Sequence, residues 1–163
     1  MQRSRNFNHR LIILLSICIG CSSSKPGTDL IVHLENFEQI NPLHHTPIDQ
    51  SWFESENQVV VYFQNLGEFS GFDLDWKPFI QSNQSIKFIF YYSGQAPKKL
   101  ESLLSELGFP VPIIYDPDKL FYKDNVTDRV TFISYLVKDE FIVGMSNPSM
   151  PNFQEKLDEL KDM

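Results

Sequence analysis

Two cysteines, four histidines and a short run of carboxylates are the side chains whose types and spacing could carry chemistry in this 163-residue chain. Cys18 and Cys21 stand in a C-x-x-C spacing, which serves thiol–disulfide exchange or half of a metal site. They sit in an apolar run, Leu11 to Gly20, with no strand before them. Neither a redox pair nor a metal site is expected there. His44 and His45, with His33 upstream, are the next candidates for ligating a metal. Adjacent residues on extended chain point to opposite sides, which is poor for chelation, and no cysteine or carboxylate completes the set. A solvated loop is expected. Glu68, Asp73 and Asp75 could form an acid/base pair, but no histidine, nucleophile or oxyanion motif accompanies them. They are expected to be a charged surface around a helix start. The chain has no glycine-rich phosphate loop and no zinc-ligand spacing, so neither a cofactor nor a metal is expected.

The elements that must position these groups come from hydrophobic patterning. Val59–Phe63 and Ile86–Tyr92 are continuous β-branched and aromatic runs, as strands buried on both faces are. Between them Phe72, Trp76, Phe79 and Ile80 recur at helical spacing, which predicts an amphipathic helix over 71–82, kinked at Pro78. Pro97 suits a first helical turn. Leu100, Leu103, Leu104 and Leu107 follow at i, i+3, i+4 and i+7, and Gly108 is a natural C-cap. Residues 111–115 read as a short strand, and 118–124 as a turn or short helix. Residues 130–137 and 141–145 are two strands whose short link, Lys138-Asp139-Glu140, makes an antiparallel hairpin. Phe153, Leu157 and Leu160 mark a last helix. Upstream, residues 29–34 could form an extra strand, and 42–47 read as loop. The resulting order, β-α-β-α-β-(short helix)-β-β-α, predicts an α/β domain with a mixed sheet between helical layers.

The first ten residues are polar and carry Arg3, Arg5 and Arg10. The apolar segment that follows spans about 15 Å as a helix, half of a roughly 30 Å hydrocarbon core, so it cannot serve as a membrane span. Basic start, short apolar run and small-residue exit are the parts of a secretory signal. Gly20-Cys21 at the end of that run, followed by Ser22-Ser23-Ser24, resembles the lipobox of bacterial lipoproteins, with Cys18 where leucine is usual. The resemblance implies that residues 1–20 are removed, that Cys21 is acylated, and that the chain is held to a membrane of the cell envelope. No acidic run follows Cys21, which favours a periplasm-facing tether. After removal, eleven basic and twenty-one acidic residues remain, a net charge near −10. That balance argues against nucleic-acid binding, which needs a basic patch.

The strand VVVYF, the break NLGEFSG, the helix with Trp76, the strand IKFIFYY, then PVPIIYDPD and VTFISYLVKDEFIVGMSNP resemble, in order and spacing, the thioredoxin fold. More narrowly they resemble the membrane-tethered thioredoxin-like proteins of the bacterial envelope. The resemblance covers about residues 55–163. It implies a three-layer α/β/α domain, a mixed sheet with a C-terminal β-hairpin and helix. Residues 21–54 are left as the lipidated N-terminus, a linker and the candidate extra strand. In that family a C-x-x-C follows the first of these strands. The matching positions here are Glu68, Phe69, Ser70 and Gly71. The family's cis-proline before the hairpin is matched by Arg129, where a trans bond is expected because a cis bond before a non-proline residue costs about 2.5–4 kcal/mol. A carboxylate and a glycine cannot exchange disulfides. Phe69 and Phe72 flank this altered site, either as core residues or as a docking patch, with Trp76 on the helix behind.

Three functions follow as alternatives. The domain has lost redox catalysis and binds or scaffolds an envelope protein. Or it runs non-thiol chemistry built around Glu68, or assists an envelope thiol–disulfide oxidoreductase. Or the likeness is accidental, in which case the 59–63 and 86–91 strands need not be neighbours.

Overall fold

The computed structural model describes residues 29–163; the segment read as a secretory signal, with Cys18, Cys21 and Ser22–Ser24, lies outside the described residues. Six strands form one mixed sheet in the order β1-β4-β3-β2-β5-β6. The central strand β2 (Asn57–Phe63) runs parallel to β3 (Lys87–Tyr92) and antiparallel to β5 (Phe132–Lys138). Because β2 and β3 are direct neighbours, the accidental-likeness alternative fails. β4 (Ile113–Tyr115) is parallel to β3, and β6 (Phe141–Met145) closes the hairpin with β5.

The continuous apolar runs exist because both faces of the sheet are covered. Val59, Val61, Phe63, Phe88, Phe90 and Tyr92 point into one core, closed by α2 (Lys77–Ser82), α3 (Pro97–Leu107) and α5 (Phe153–Asp162). Val60, Tyr62, Ile89 and Tyr91 point into the other, with Phe53 of α1 (Gln50–Phe53) and Phe121 of α4 (Leu120–Asn125). The alternation is the period of two expected of strands. Gly108 ends α3 in the left-handed region, φ 57°, as its composition predicts. The hairpin link turns through Asp139 and Glu140 at φ 48° and 70°, the double positive φ of a type I′ turn.

Four expectations are corrected. The helix predicted over 71–82 begins only at Lys77, with Pro78 in its first turn rather than at a kink. Gly71, at φ 76°, interrupts the helical path, and proline's missing N–H and fixed φ make it a helix starter. Residues 29–34 form no strand beyond one bridge, Leu30 to Phe141. The extra strand is instead β1 (Glu38–Ile40), antiparallel to β4 on the sheet's far edge. The strand predicted to begin at 111 begins at Ile113, since Pro112 cannot donate to a ladder, and the one predicted to begin at 130 begins at Phe132, with Val130 N–H donating locally to the Asp128 carbonyl.

Candidate functional site

Beyond the C-terminal end of β2 the chain makes a thirteen-residue excursion, 64–76, before α2 begins. Its start is pinned to the hairpin strand, Gln64 N–H donating to the Thr131 carbonyl at 3.0 Å. Its middle is organised by Asp73. One carboxylate oxygen accepts from Phe69 N–H at 2.8 Å and the other from Gly71 N–H at 3.1 Å. Two backbone donors that a helix would have used are thus satisfied locally, which is how aspartate competes with helix formation. Ser70 is buried and its hydroxyl accepts from Phe72 N–H. The buried Trp76 indole donates to the Gly71 carbonyl at 2.7 Å, so its N–H is satisfied although only 1% of the residue is exposed.

The structure separates the predicted site residues into two groups. Phe72 and Trp76 are core residues. Phe72 stacks on Phe63 at 5.4 Å, and Trp76 meets Phe90 and Phe153 edge-on at 5.3 and 5.8 Å. Phe69 is the opposite case. It is 89% exposed and holds φ 63°, a conformation that disfavours a side chain by about 1 kcal/mol or more. Glu68 is exposed in the same turn. It lies nine residues ahead of α2, so no helix N-terminus stands behind it, contrary to the expectation of a charged helix start. Gly71 lies under the Phe132 ring: a Cβ built on it would fall 1.9 Å from a ring carbon. Arg129 is exposed, three residues before β5. The hairpin residues that touch the loop are Thr131 and Phe132. All peptide bonds among the described residues are trans.

Beside the loop runs a furrow of about 400 Å³, walled by Leu66, Phe72, Leu74 and Trp76 on one side and Leu103, Leu107 and Phe109 on the other. Asp73, Asp75 and Lys77 edge it. The sequence reading missed it, because it exists only where the predicted first turns of helix are unwound. Pro78 was the available signal: a proline in a first turn places the helix start near 77 and leaves 71–76 irregular.

The histidines are scattered. His44 is exposed, and His45 donates through Nε2 to the Phe109 carbonyl. His33 is enclosed between Gln58 and Tyr91, stacked on Phe53 at 4.4 Å. Gln58 gives its amide hydrogens to the Phe53 and Ser55 carbonyls, so its oxygen faces His33 Nε2, which donates. His33 Nδ1 then accepts from the Tyr91 hydroxyl. Burial pushes the imidazole from 6.5 down to about 4, against the opposing hydrogen bond to Gln58.

This sheet order, with its flanking helices and closing hairpin and helix, defines a thioredoxin-like α/β fold. Comparison with solved structures agrees. The chain is similar to an uncharacterised conserved protein from Geobacillus kaustophilus, at 18% identity over 82% of each chain and TM-score 0.59. It is similar to the Xanthomonas campestris bacterioferritin comigratory protein, described for alkyl peroxide reduction, at 13% identity over 82% of this chain and 98% of that one, TM-score 0.57. A secreted Mycobacterium tuberculosis disulfide oxidoreductase aligns at 10% identity over 71% and 88%, TM-score 0.55. At these identities the likeness concerns the fold. No family model and no curated protein matches the chain. No helix among the described residues is long and apolar enough to cross a membrane.

Proposed function

We propose that this chain is an envelope lipoprotein, tethered through Cys21, whose thioredoxin-like domain performs no thiol exchange and acts by binding a partner protein. The observation that carries the binding role is Phe69: a large apolar side chain held almost wholly in solvent, at a strained φ, in a loop whose Phe69 and Gly71 N–H groups donate to the Asp73 carboxylate. Folding gains nothing from that exposure, and strain kept at an exposed residue is a mark of recognition sites. The loss of exchange chemistry is supported by composition, since residues 29–163 contain no cysteine. The non-thiol enzyme alternative would need an enclosed carboxylate, whereas Glu68 is open to water and the neighbouring furrow is mostly apolar.

The test is capture from solubilised envelope, comparing the parent with Phe69→Asp. Partner recovery is expected to fall about tenfold or more, as for an aromatic interface anchor, while the thermal midpoint stays within a few degrees. Unchanged recovery would overturn the binding role. Reduction of insulin disulfides by the native chain, above background, would overturn the loss of exchange. For the tether, Cys21→Ala is expected to abolish the acyl mass on the mature N-terminus and release the chain from membranes, since two or more acyl chains are what make such anchoring stable. Mass spectrometry of the mature N-terminus and flotation of the two forms check this.

A further inference from the structure

We infer that the furrow between the 66–77 loop and α3 receives a cationic, apolar peptide segment of the partner, its large apolar side chains entering the furrow and its lysines or arginines facing Asp73 and Asp75. The inference rests on the binding role proposed above and names the chemistry of the occupant.

Three observations support it. The furrow's walls are leucine and aromatic carbon, and Leu107 on the α3 side is 52% exposed, so apolar surface lies open along its length. The rim carries two carboxylates to one ammonium. Asp73 and Asp75 edge the furrow, and neither enters an ion pair among the described residues. The single rim cation, Lys77, has its ammonium against Gly108 at the C-terminal end of α3, where the helix dipole favours positive charge. Glu68 and Phe69 continue the acidic and apolar character along the loop, joined to the furrow through the Phe69–Asp73 hydrogen bond. Finally, residues 29–163 carry ten basic against twenty-one acidic side chains. A second copy of this chain, or an anionic lipid surface, would meet like charge there, whereas a basic segment is drawn in.

The test uses the full chain in nonionic detergent and three fluorescein-labelled heptapeptides read by anisotropy. The first carries lysines flanking a phenylalanine and a leucine. The second replaces the lysines with glutamates, and the third replaces the apolar pair with serines. The first is expected to bind about tenfold or more tighter than either of the others, and to weaken as salt rises. Leu107→Lys and Asp75→Lys, both on exposed positions, are each expected to weaken it about tenfold with no change in thermal midpoint. Equal binding of the lysine and glutamate peptides, indifference to both substitutions, or no binding of the first peptide overturns the assignment. If partner capture through Phe69 survives that result, the binding role stands and only the occupant's chemistry is wrong. If capture fails as well, both fall.

Discussion

Gly71→Ala is expected to lower the unfolding free energy by roughly 3 kcal/mol, with the slope of the urea transition unchanged. Two separate effects add. A left-handed backbone with a side chain costs about 1–2 kcal/mol. The new methyl would also lie 1.9 Å from the Phe132 ring, and forcing atoms into a packed site costs about 1–3 kcal/mol more. The two can be told apart. Removing the ring with Phe132→Ala is expected to relieve the packing part but not the backbone part, so the double variant should be less destabilised than the sum of the single ones by about 1–2 kcal/mol. A Gly71→Ala protein within 1 kcal/mol of the parent would contradict the geometry. The same ring bears on chemistry. Writing cysteines into positions 68 and 71 would not restore an exchange site, because the second sulfur has no room until Phe132 moves.

Acid is expected to destabilise the domain through His33. Its folded value of about 4 lies below the ordinary 6.5, so above pH 6.5 the imidazole is neutral in both states and no stability is lost. Between pH 6.5 and 4 the unfolded chain takes a proton that the folded one refuses, and stability falls as pH falls. The loss from this one group amounts to about 2 kcal/mol by pH 5 and about 3 kcal/mol by pH 4. The physical obstacle is burial: an imidazolium enclosed against Phe53 and Tyr91 loses its water, and the hydrogen bond to the Gln58 oxygen offsets only part of that cost. His33→Gln should flatten the parent's slope between pH 6.5 and 5, where ordinary carboxylates scarcely titrate. Parallel pH profiles of urea midpoints for the two proteins would show that His33 is not the sensor.

Much of the architecture was legible in the chain, and the reasons are specific. Val59–Phe63 and Phe88–Tyr92 are apolar at every position because both faces of the sheet are covered, and their β-branched and aromatic composition marks them as strands. Gly108 announced the end of α3 by backbone demand, and the short Lys138-Asp139-Glu140 link announced the hairpin by its length. The helix at 71–82 misled because Phe72, Trp76, Phe79 and Ile80 keep helical spacing while only the last two are helical. Phe72 and Trp76 reach the same core from a loop held by Asp73. Periodicity records which residues are buried, not which path the backbone takes between them. β1 left no signal because three residues on an edge are too few for one. Of the candidate site, the loop 68–71 was named by resemblance, and of the two phenylalanines that flank it Phe72 is a core residue while Phe69 is exposed. The furrow and the His33 network depend on contacts between segments far apart in the chain, which no local pattern encodes.

The backbone contacts at the start of the described residues bear on the proposed tether. Asp29 accepts from Ile142 N–H, and Ile31 donates to the Glu140 carbonyl, so the chain is stitched to β6 from its first described residue onward. With the lipid on Cys21, as proposed, the leash available before that stitch is eight residues, at most about 29 Å at full stretch. A body of this size has a radius of gyration of about 14 Å, which keeps Phe69 within roughly 70 Å of the bilayer surface. On that proposal, a protein that docks on Phe69 has to come to the membrane, because a domain so tethered does not swing far out to meet it.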